Sequence, residues 1–264
     1  MTITTEAPTA FAAAWEAWHA DHEARRADPH GFLAVTGLHR LTPESQRIEG
    51  IPGSWSSGPD GVVVELAAGE SLTRDAEPLT ARVVLGRIAE RDGILLRHGD
   101  VEVEVARRGG TDIVRPRDPA HLAARGYDGT DAYPADERWA VDARYEPFDV
   151  PRPTTVGSVA PGLEHVYDAP GQIVLELDGT EHRLTVFGAG DGFFALFTDA
   201  TSGVTTYPAN RSLSIPGPEA DGRVVVDFNR AVNLPCAYTA FATCPLPPAE
   251  NRLPIAIEAG ELLP

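Results

Sequence analysis

Short apolar runs, each closed by a turn signal, constrain this chain most. Gly61-Val-Val-Val-Glu-Leu66 follows an Asp60-Gly61 turn, and Arg82-Val-Val-Leu-Gly-Arg-Ile88 leads to Asp92-Gly93. Ile94-Leu-Leu-Arg-His98 turns at Gly99-Asp100 into Val101-Glu-Val-Glu-Val105. That last run alternates without a break, so valines are expected to face the core and Glu102 and Glu104 the solvent. After Trp139-Ala-Val-Asp-Ala-Arg-Tyr145, the runs Gln172–Leu177 and Thr180–Phe187 flank Asp178-Gly179. That pattern reads as a hairpin with a type I′ turn. Gly192–Thr198, Val204–Tyr207, Arg223–Phe228 and Leu253–Ile257 continue the series. Pro254 confines the last of them to an edge or a strand start. Turns recurring every ~8–12 residues belong to a sandwich or barrel. Twenty-five Gly and 23 Pro supply the turns and stiff loops that such a fold needs. The expected class is mainly β: two packed antiparallel β subregions, barrel or sandwich, with one N-terminal amphipathic helix.

That helix falls at residues 9–27, where Phe11, Trp15, Trp18 and His22 recur at helical spacing on one face. Asp28-Pro29 ends it. Its expected task is to dock on the β body. Gly31–Leu41 is an apolar run that periodicity leaves open between a strand and a short helix. Asp118-Pro119 opens a second, short helix with an Asp cap. Pro147, Pro151 and Pro153 read as a stiff connector and one internal boundary. A break near residue 116 is the other. The expected division is a helix over 1–30, a β subregion over 31–116 and a second β subregion over 117–264.

The net charge of −17 repels phosphate backbones and acidic membrane surfaces. No nucleic-acid and no membrane partner is therefore expected, and a homodimer is left open. Every basic residue is Arg. A coding bias suffices to explain that, and it excludes a Lys Schiff base and a phosphate-binding P-loop lysine. The N-terminus lacks a secretory pattern, and two cysteines make no disulfide framework. A cytoplasmic location follows as an expectation.

Familiar catalytic motifs fail on inspection. Gly188-Ala-Gly190-Asp-Gly192 is followed by a strand rather than a helix N-terminus, so it reads as a turn and not a dinucleotide loop. No nucleophile elbow and no His-Glu-x-x-His helix occurs. Among the eight histidines, His19 and His22 fall at i, i+3, but a solvated or core role outweighs a ligand role for each. No cofactor and no metal site is expected.

Polar and reactive side chains concentrate in residues 227–252. Strand alternation places Asp227 and Asn229 on one face and Phe228 on the other. Such a polar strand end suits a ligand at a barrel mouth, while the same residues also suit turn capping. Glu250-Asn251-Arg252 follows Pro247-Pro248. The cluster could bind a polar ligand, do acid–base work or lock a loop. Arg115, Arg117 and Asp118 form a second cluster. The expected catalytic residues are Asp227 and Glu250, with Arg117, Asn229, Asn233, Asn251 and Arg252 binding a small metabolite. Cys236 and Cys244 would stand ~26 Å apart if extended, although a tight turn at 238–242 would bring them together. Alone they are only half a zinc site. The expected function is a pocket protein for a small polar metabolite, an enzyme of hydrolase or lyase type; a non-catalytic binding or scaffold protein is the alternative.

The run from Val226 to Glu261, which holds Asn-Leu-Pro-Cys236, Thr-Cys244-Pro-Leu-Pro-Pro and Glu250-Asn-Arg252, resembles a bacterial family called a domain of unknown function, DUF1684. Arg115-Pro-Arg-Asp-Pro119, Phe197–Gly203 with Thr206-Tyr207, and Gly31–Leu38 add to the likeness. The family pattern has Tyr-Asn-Pro-Pro-Cys where this chain has Val232-Asn-Leu-Pro-Cys236, and His39-Arg40 replaces a more aromatic pair. The resemblance implies a fold and a place to look, and no reaction.

Overall fold

The computed structural model describes residues 9–264. The chain opens with α1 (Ala10–Arg26), then β1 (His39–Arg40), β2 (Gln46–Arg47), β3 (Ser54–Gly58), β4 (Gly61–Glu65), β5 (Leu72–Arg74), β6 (Glu77–Leu79), β7 (Arg82–Gly86), β8 (Gly93–His98), β9 (Val101–Arg108) and β10 (Thr111–Arg117). After α2 (Pro119–Arg125) come β11 (Ala140–Gly157), β12 (Glu164–Leu177), β13 (Thr180–Ala189), β14 (Gly192–Phe197), β15 (Arg211–Ile215), β16 (Arg223–Asp227) and β17 (Val232–Asn233).

The strands form three antiparallel sheets. One has the order β1-β10-β9-β8-β5-β6 and another β2-β3-β4-β7. These two share a core of Leu41, Trp55, Val62, Val64, Leu96, Val103, Val105 and Val114, as the facing sheets of a sandwich do. The third, β16-β11-β12-β13-β14-β15-β17, has its own core around Ile173, Leu184, Phe197, Val226 and Phe228. Its end strands do not pair with each other, so it stays an open, curled sheet rather than a barrel. No described helix is long and apolar enough to cross a membrane.

Local chemistry explains the elements that match expectation. Thr9 caps α1, its hydroxyl accepting from Ala12 N, and Asp118 caps α2 by accepting from Ala120 N. The β12–β13 hairpin turns at Asp178 (φ 50°) and Gly179 (φ 73°), the two left-handed residues of a type I′ turn. The 31–41 run takes both forms: a 3₁₀ turn at Phe32–Ala34, then strand β1.

Several expectations need correction. Glu102 and Glu104 are not solvated; they are 6% and 5% exposed. Both faces of β9 are covered, because Arg97 on β8 and Arg115 and Arg117 on β10 lie directly across from the glutamates and fold over them. The Pro147–Pro153 connector is no linker but a bulge inside β11, between Pro147 and Arg152. Only residues 140–144 of β11 pair with β16, so beyond them the strand has a free edge, where proline loses no ladder bond. Val204–Tyr207 is turn rather than strand. Phe228–Arg230 is a 3₁₀ turn, so Asp227 and Asn229 meet through an Asx turn and not through strand alternation.

Leu253–Ile257 is also not a strand. It crosses the third core, where two backbone bonds, Leu253 N to Thr198 O and Ala200 N to Ile255 O, hold its start beside residues 198–200, and side chains take over towards Ile257. The buried Asp199 carboxylate accepts from Ile257 N at 2.7 Å. Arg211, 1% exposed, donates to Ile257 O at 3.1 Å and to Ala259 O. The Arg211–Asp199 pair closes this lock at 3.2 Å.

Candidate functional site

The expected site residues lie apart, and most of them hold backbone. Asp227 Oδ1 accepts from Asn229 N and Nδ2, and its Oδ2 faces Arg230 Nε at 3.2 Å. The Asn229 carboxamide bridges Asp136 N and O, both at 3.0 Å. Asn251, 0% exposed, accepts from Thr185 N and donates to Thr185 O and Leu196 O. Those contacts sit where the β13–β14 ladder stops at Phe187 and Phe194, so one carboxamide continues the sheet by another two residues. Glu250 and Arg252 are exposed, with Glu250 accepting from Thr185 Oγ1 at 3.0 Å. Arg117 holds Glu104 at 2.7 Å on β9 and donates to His30 O at 3.0 Å. Asn233 lines a cavity described below.

A different set of groups converges between α1 and the C-terminal segment. Helical spacing puts His19, His22, Glu23 and Arg26 on one face of α1. Trp15 Nε1 donates to Asn229 O at 2.7 Å and anchors that face to the third sheet. Trp15 stacks on His19 and Trp18 on His22, with ring centroids 4.8 and 5.4 Å apart. Arg26 then points inward from the last turn, where the helix dipole favours a cation.

The Arg26 guanidinium is the hub, 5% exposed. One nitrogen donates to Glu23 Oε1 at 2.5 Å and Thr130 Oγ1 at 2.8 Å; the other donates to Glu261 Oε1 at 2.6 Å and His22 Nε2 at 2.7 Å. Its plane lies over the Tyr238 ring. Glu261, 1% exposed, also accepts from Asn233 N at 2.7 Å and Tyr238 OH at 3.4 Å. Tyr127 OH donates to Glu23 Oε2, and Thr130 Oγ1 lies 2.8 Å from both tyrosine hydroxyls.

One guanidinium thus serves two carboxylates. Burial raises the Glu261 carboxyl above its usual range, with Arg26 opposing. Burial, followed by the charge of Arg26, lowers His22 to about 4, so its Nε2 accepts from Arg26 as a neutral ring. Burial also lowers His19, whose Nε2 is buried without a hydrogen-bond partner 3.9 Å from Glu23 Oε1. Burial and the bond to Glu23 raise the Tyr127 hydroxyl.

His19, Glu23 and Glu261 bring three ligand atoms within 4.8 Å of one another. Arg26 donates to both of those carboxylates, so a positive group already fills the role that a metal ion would take. Two cavities flank the network. One, about 590 Å³, is lined by His19, Glu23, Arg125, Tyr127, Thr130 and Tyr238 among others. The other, about 340 Å³, is lined by His22, Arg26, Phe32, Asn233 and Pro235 among others.

Sequence reading passed over His19, His22, Glu23, Arg26, Tyr127, Thr130, Tyr238 and Glu261. The one available signal was His19 and His22 at i, i+3, prolonged along the same face by Glu23 and Arg26.

A solution NMR structure of an uncharacterized protein from gene locus rrnAC0354 of Haloarcula marismortui is similar to this chain. The two share 27% identity over 53% of this chain and 78% of that one, with a TM-score of 0.45. No curated protein matches the chain. A family model described as a protein of unknown function, DUF1684, matches residues 125–262, which hold all of α2's last residue onward to Leu262, including Tyr127, Thr130, Tyr238 and Glu261. That match spans just over half of the sequence, and the chain belongs to the DUF1684 family.

Proposed function

We propose that this protein binds a small polar metabolite in the 590 Å³ cavity and performs acid–base chemistry on it. The observation that carries the reading is the buried network at the cavity wall, where Glu23 and Glu261 share a single guanidinium. Such an excess of buried carboxylate is expensive to fold, and sites of that kind cluster where proton transfer is needed. Glu23 and His19 both line the cavity and supply the proton-transfer pair. Tyr127 and Thr130 offer hydroxyls, and Arg125 at the exposed rim draws a ligand carboxylate or phosphate. Asp227, Asn229 and Asn251 keep the loops in place in this reading, and Glu250 and Arg252 stay outside the chemistry. A hydrolase or lyase reaction on a hydroxylated acid fits these groups.

A panel of small polar metabolites screened by thermal shift tests it. At least one hydroxylated acid should raise the melting temperature of the wild type, and neither Glu23→Gln nor His19→Asn should respond to it. Hits that stabilise those variants as much as the wild type, or an Asp227→Asn/Glu250→Gln double variant that alone loses turnover, would move the site elsewhere.

Binding without turnover is favoured by one observation: both oxygens of Glu23 and both of Glu261 already accept hydrogen bonds. Recovery of an identified ligand unchanged after long incubation separates that reading from the enzyme.

A further inference from the structure

A cavity of about 420 Å³ opens where residues 36–39, the end of β10 and the C-terminal segment meet. No member of the Arg26 network lines it. Its frame is backbone. Thr36 N donates to Pro116 O at 3.0 Å, Asp118 N donates to Ala34 O at 2.8 Å, and β1 pairs His39 with Val114 of β10. These bonds clamp His39 and Asp118 beside one space. Phe241 enters from the C-terminal segment, on a turn that Thr239 Oγ1 closes by accepting from Phe241 N at 3.2 Å.

The lining divides by chemistry. Leu38, Val101, Pro116 and Phe241 supply apolar surface, and Asp118 and Glu49 bring two carboxylates. No arginine lines the cavity among the described residues, so the lining leaves both negative charges unanswered. Asp118 uses Oδ1 for the α2 cap, accepting from Ala120 N at 2.9 Å, and Oδ2 keeps its lone pairs. The imidazole of His39 lies against Gly37, whose missing Cβ makes the room: a methyl group there would stand 2.5 Å from His39 Nε2. Burial lowers the His39 pKa, so the ring is neutral at pH 7 and one of its nitrogens is an acceptor. Acceptors, unanswered negative charge and an aromatic ring suit a cation with an apolar body. An anion would be repelled by both carboxylates and would find no guanidinium.

We propose that the 420 Å³ cavity is a binding site for a small organic amine. The ammonium group is held by Asp118 and Glu49 and donates an N–H to His39, and the apolar body packs on Leu38, Val101, Pro116 and Phe241. The site is separate from the 590 Å³ cavity and does not depend on what that cavity binds.

The test titrates the full chain with phenethylamine at neutral pH by isothermal calorimetry and maps the contact by NMR. Saturable one-to-one binding is expected, with the largest shift changes at Leu38, Val101 and Phe241. Phenylacetate, the same ring carrying a carboxylate, should bind at least about tenfold more weakly, and ethylamine, which lacks the ring, should lose a similar factor. Asp118→Asn keeps a capping side chain and removes the charge, and should weaken phenethylamine by about tenfold. Gly37→Ala should weaken it as well by displacing the imidazole. The wild-type titration and map decide the matter even if a variant does not fold. The proposal is overturned if phenethylamine does not saturate the protein at low-millimolar concentration, if phenylacetate binds as well, or if the shift changes centre on Tyr127 and Tyr238. A folded Asp118→Asn protein that binds the amine as tightly as the wild type would overturn it too.

Discussion

Replacing Arg26 by Met keeps most of the aliphatic stem and removes the guanidinium. The change leaves Glu261, 1% exposed, without its counter-charge, and strips Glu23 Oε1, His22 Nε2 and Thr130 of a donor. Removing one partner of a buried ion pair costs about 3–5 kcal/mol. For a protein of this size that lowers the melting temperature by roughly 6–20 °C. The penalty also depends on pH. Glu261 already has a raised pKa, and Arg26 is the main force opposing the rise. A carboxyl raised in the native state binds more protons folded than unfolded, so stability falls as pH climbs from its unfolded pKa of ~4.3 through the folded value. Without Arg26 that window widens upward. His22, held near 4 partly by Arg26, is released in the same direction. Urea denaturation followed by the fluorescence of Trp15 and Trp18 should thus show the variant regaining part of its stability between pH 7 and pH 5, relative to the wild type. A loss under about 1 kcal/mol at pH 7, the range of an exposed pair, or an equal loss at both pH values, refutes the reasoning.

Two further perturbations test the frame. Burial works to raise the Glu104 carboxyl, but hydrogen bonds and charge from Arg115 and Arg117 overcome it and hold the group at about 2. The native state then binds fewer protons, so Glu104 contributes stability above pH ~4.3 that is lost as pH falls toward 2. Glu104→Gln should cost about 3–5 kcal/mol at neutral pH and flatten the acid limb of the stability curve, measured by thermal denaturation. Asn251→Ala unpairs three buried backbone groups and should cost about 3 kcal/mol or more, with hydrogen exchange speeding up first at Thr185. Unchanged exchange there would contradict the bridging role of Asn251.

The strands were legible where one local signal decided them. Asp178-Gly179 specifies a turn whose twist only left-handed residues provide, and the structure has φ of 50° and 73° there. Thr9, Asp118 and the aromatic face of α1 are equally local signals. The glutamates of β9 were misplaced because alternation says which residues share a face, not whether that face meets water. Leu253–Ile257 has strand composition, yet it makes only two backbone bonds, to Thr198 and Ala200, before the side chains of Asp199 and Arg211, more than forty residues upstream, take over at Ile257. The polar network was hidden for the same reason on a larger scale. His19, His22, Glu23 and Arg26 form a visible face, but nothing local links that face to Tyr127 or Glu261. The asparagines stood out because Asn is conspicuous beside proline, and their work is backbone satisfaction.

The contact between Arg26 and Glu261 joins residues 235 positions apart. Closing a flexible loop of that length costs on the order of 5 kcal/mol in chain entropy, which one ion pair does not recover on its own. Docking of α1 must therefore wait until the seven-stranded sheet has already brought Glu261 and Asn233 close to where the helix will land. The first helix in the chain is then the last piece secured, and it behaves as a tethered ligand of the sheet whose local concentration is set by the β structure between them. Opening of α1 alone, with both β cores intact, becomes the cheapest excursion from the native state. During such an excursion Glu261 meets water, and the network is rebuilt each time the helix returns.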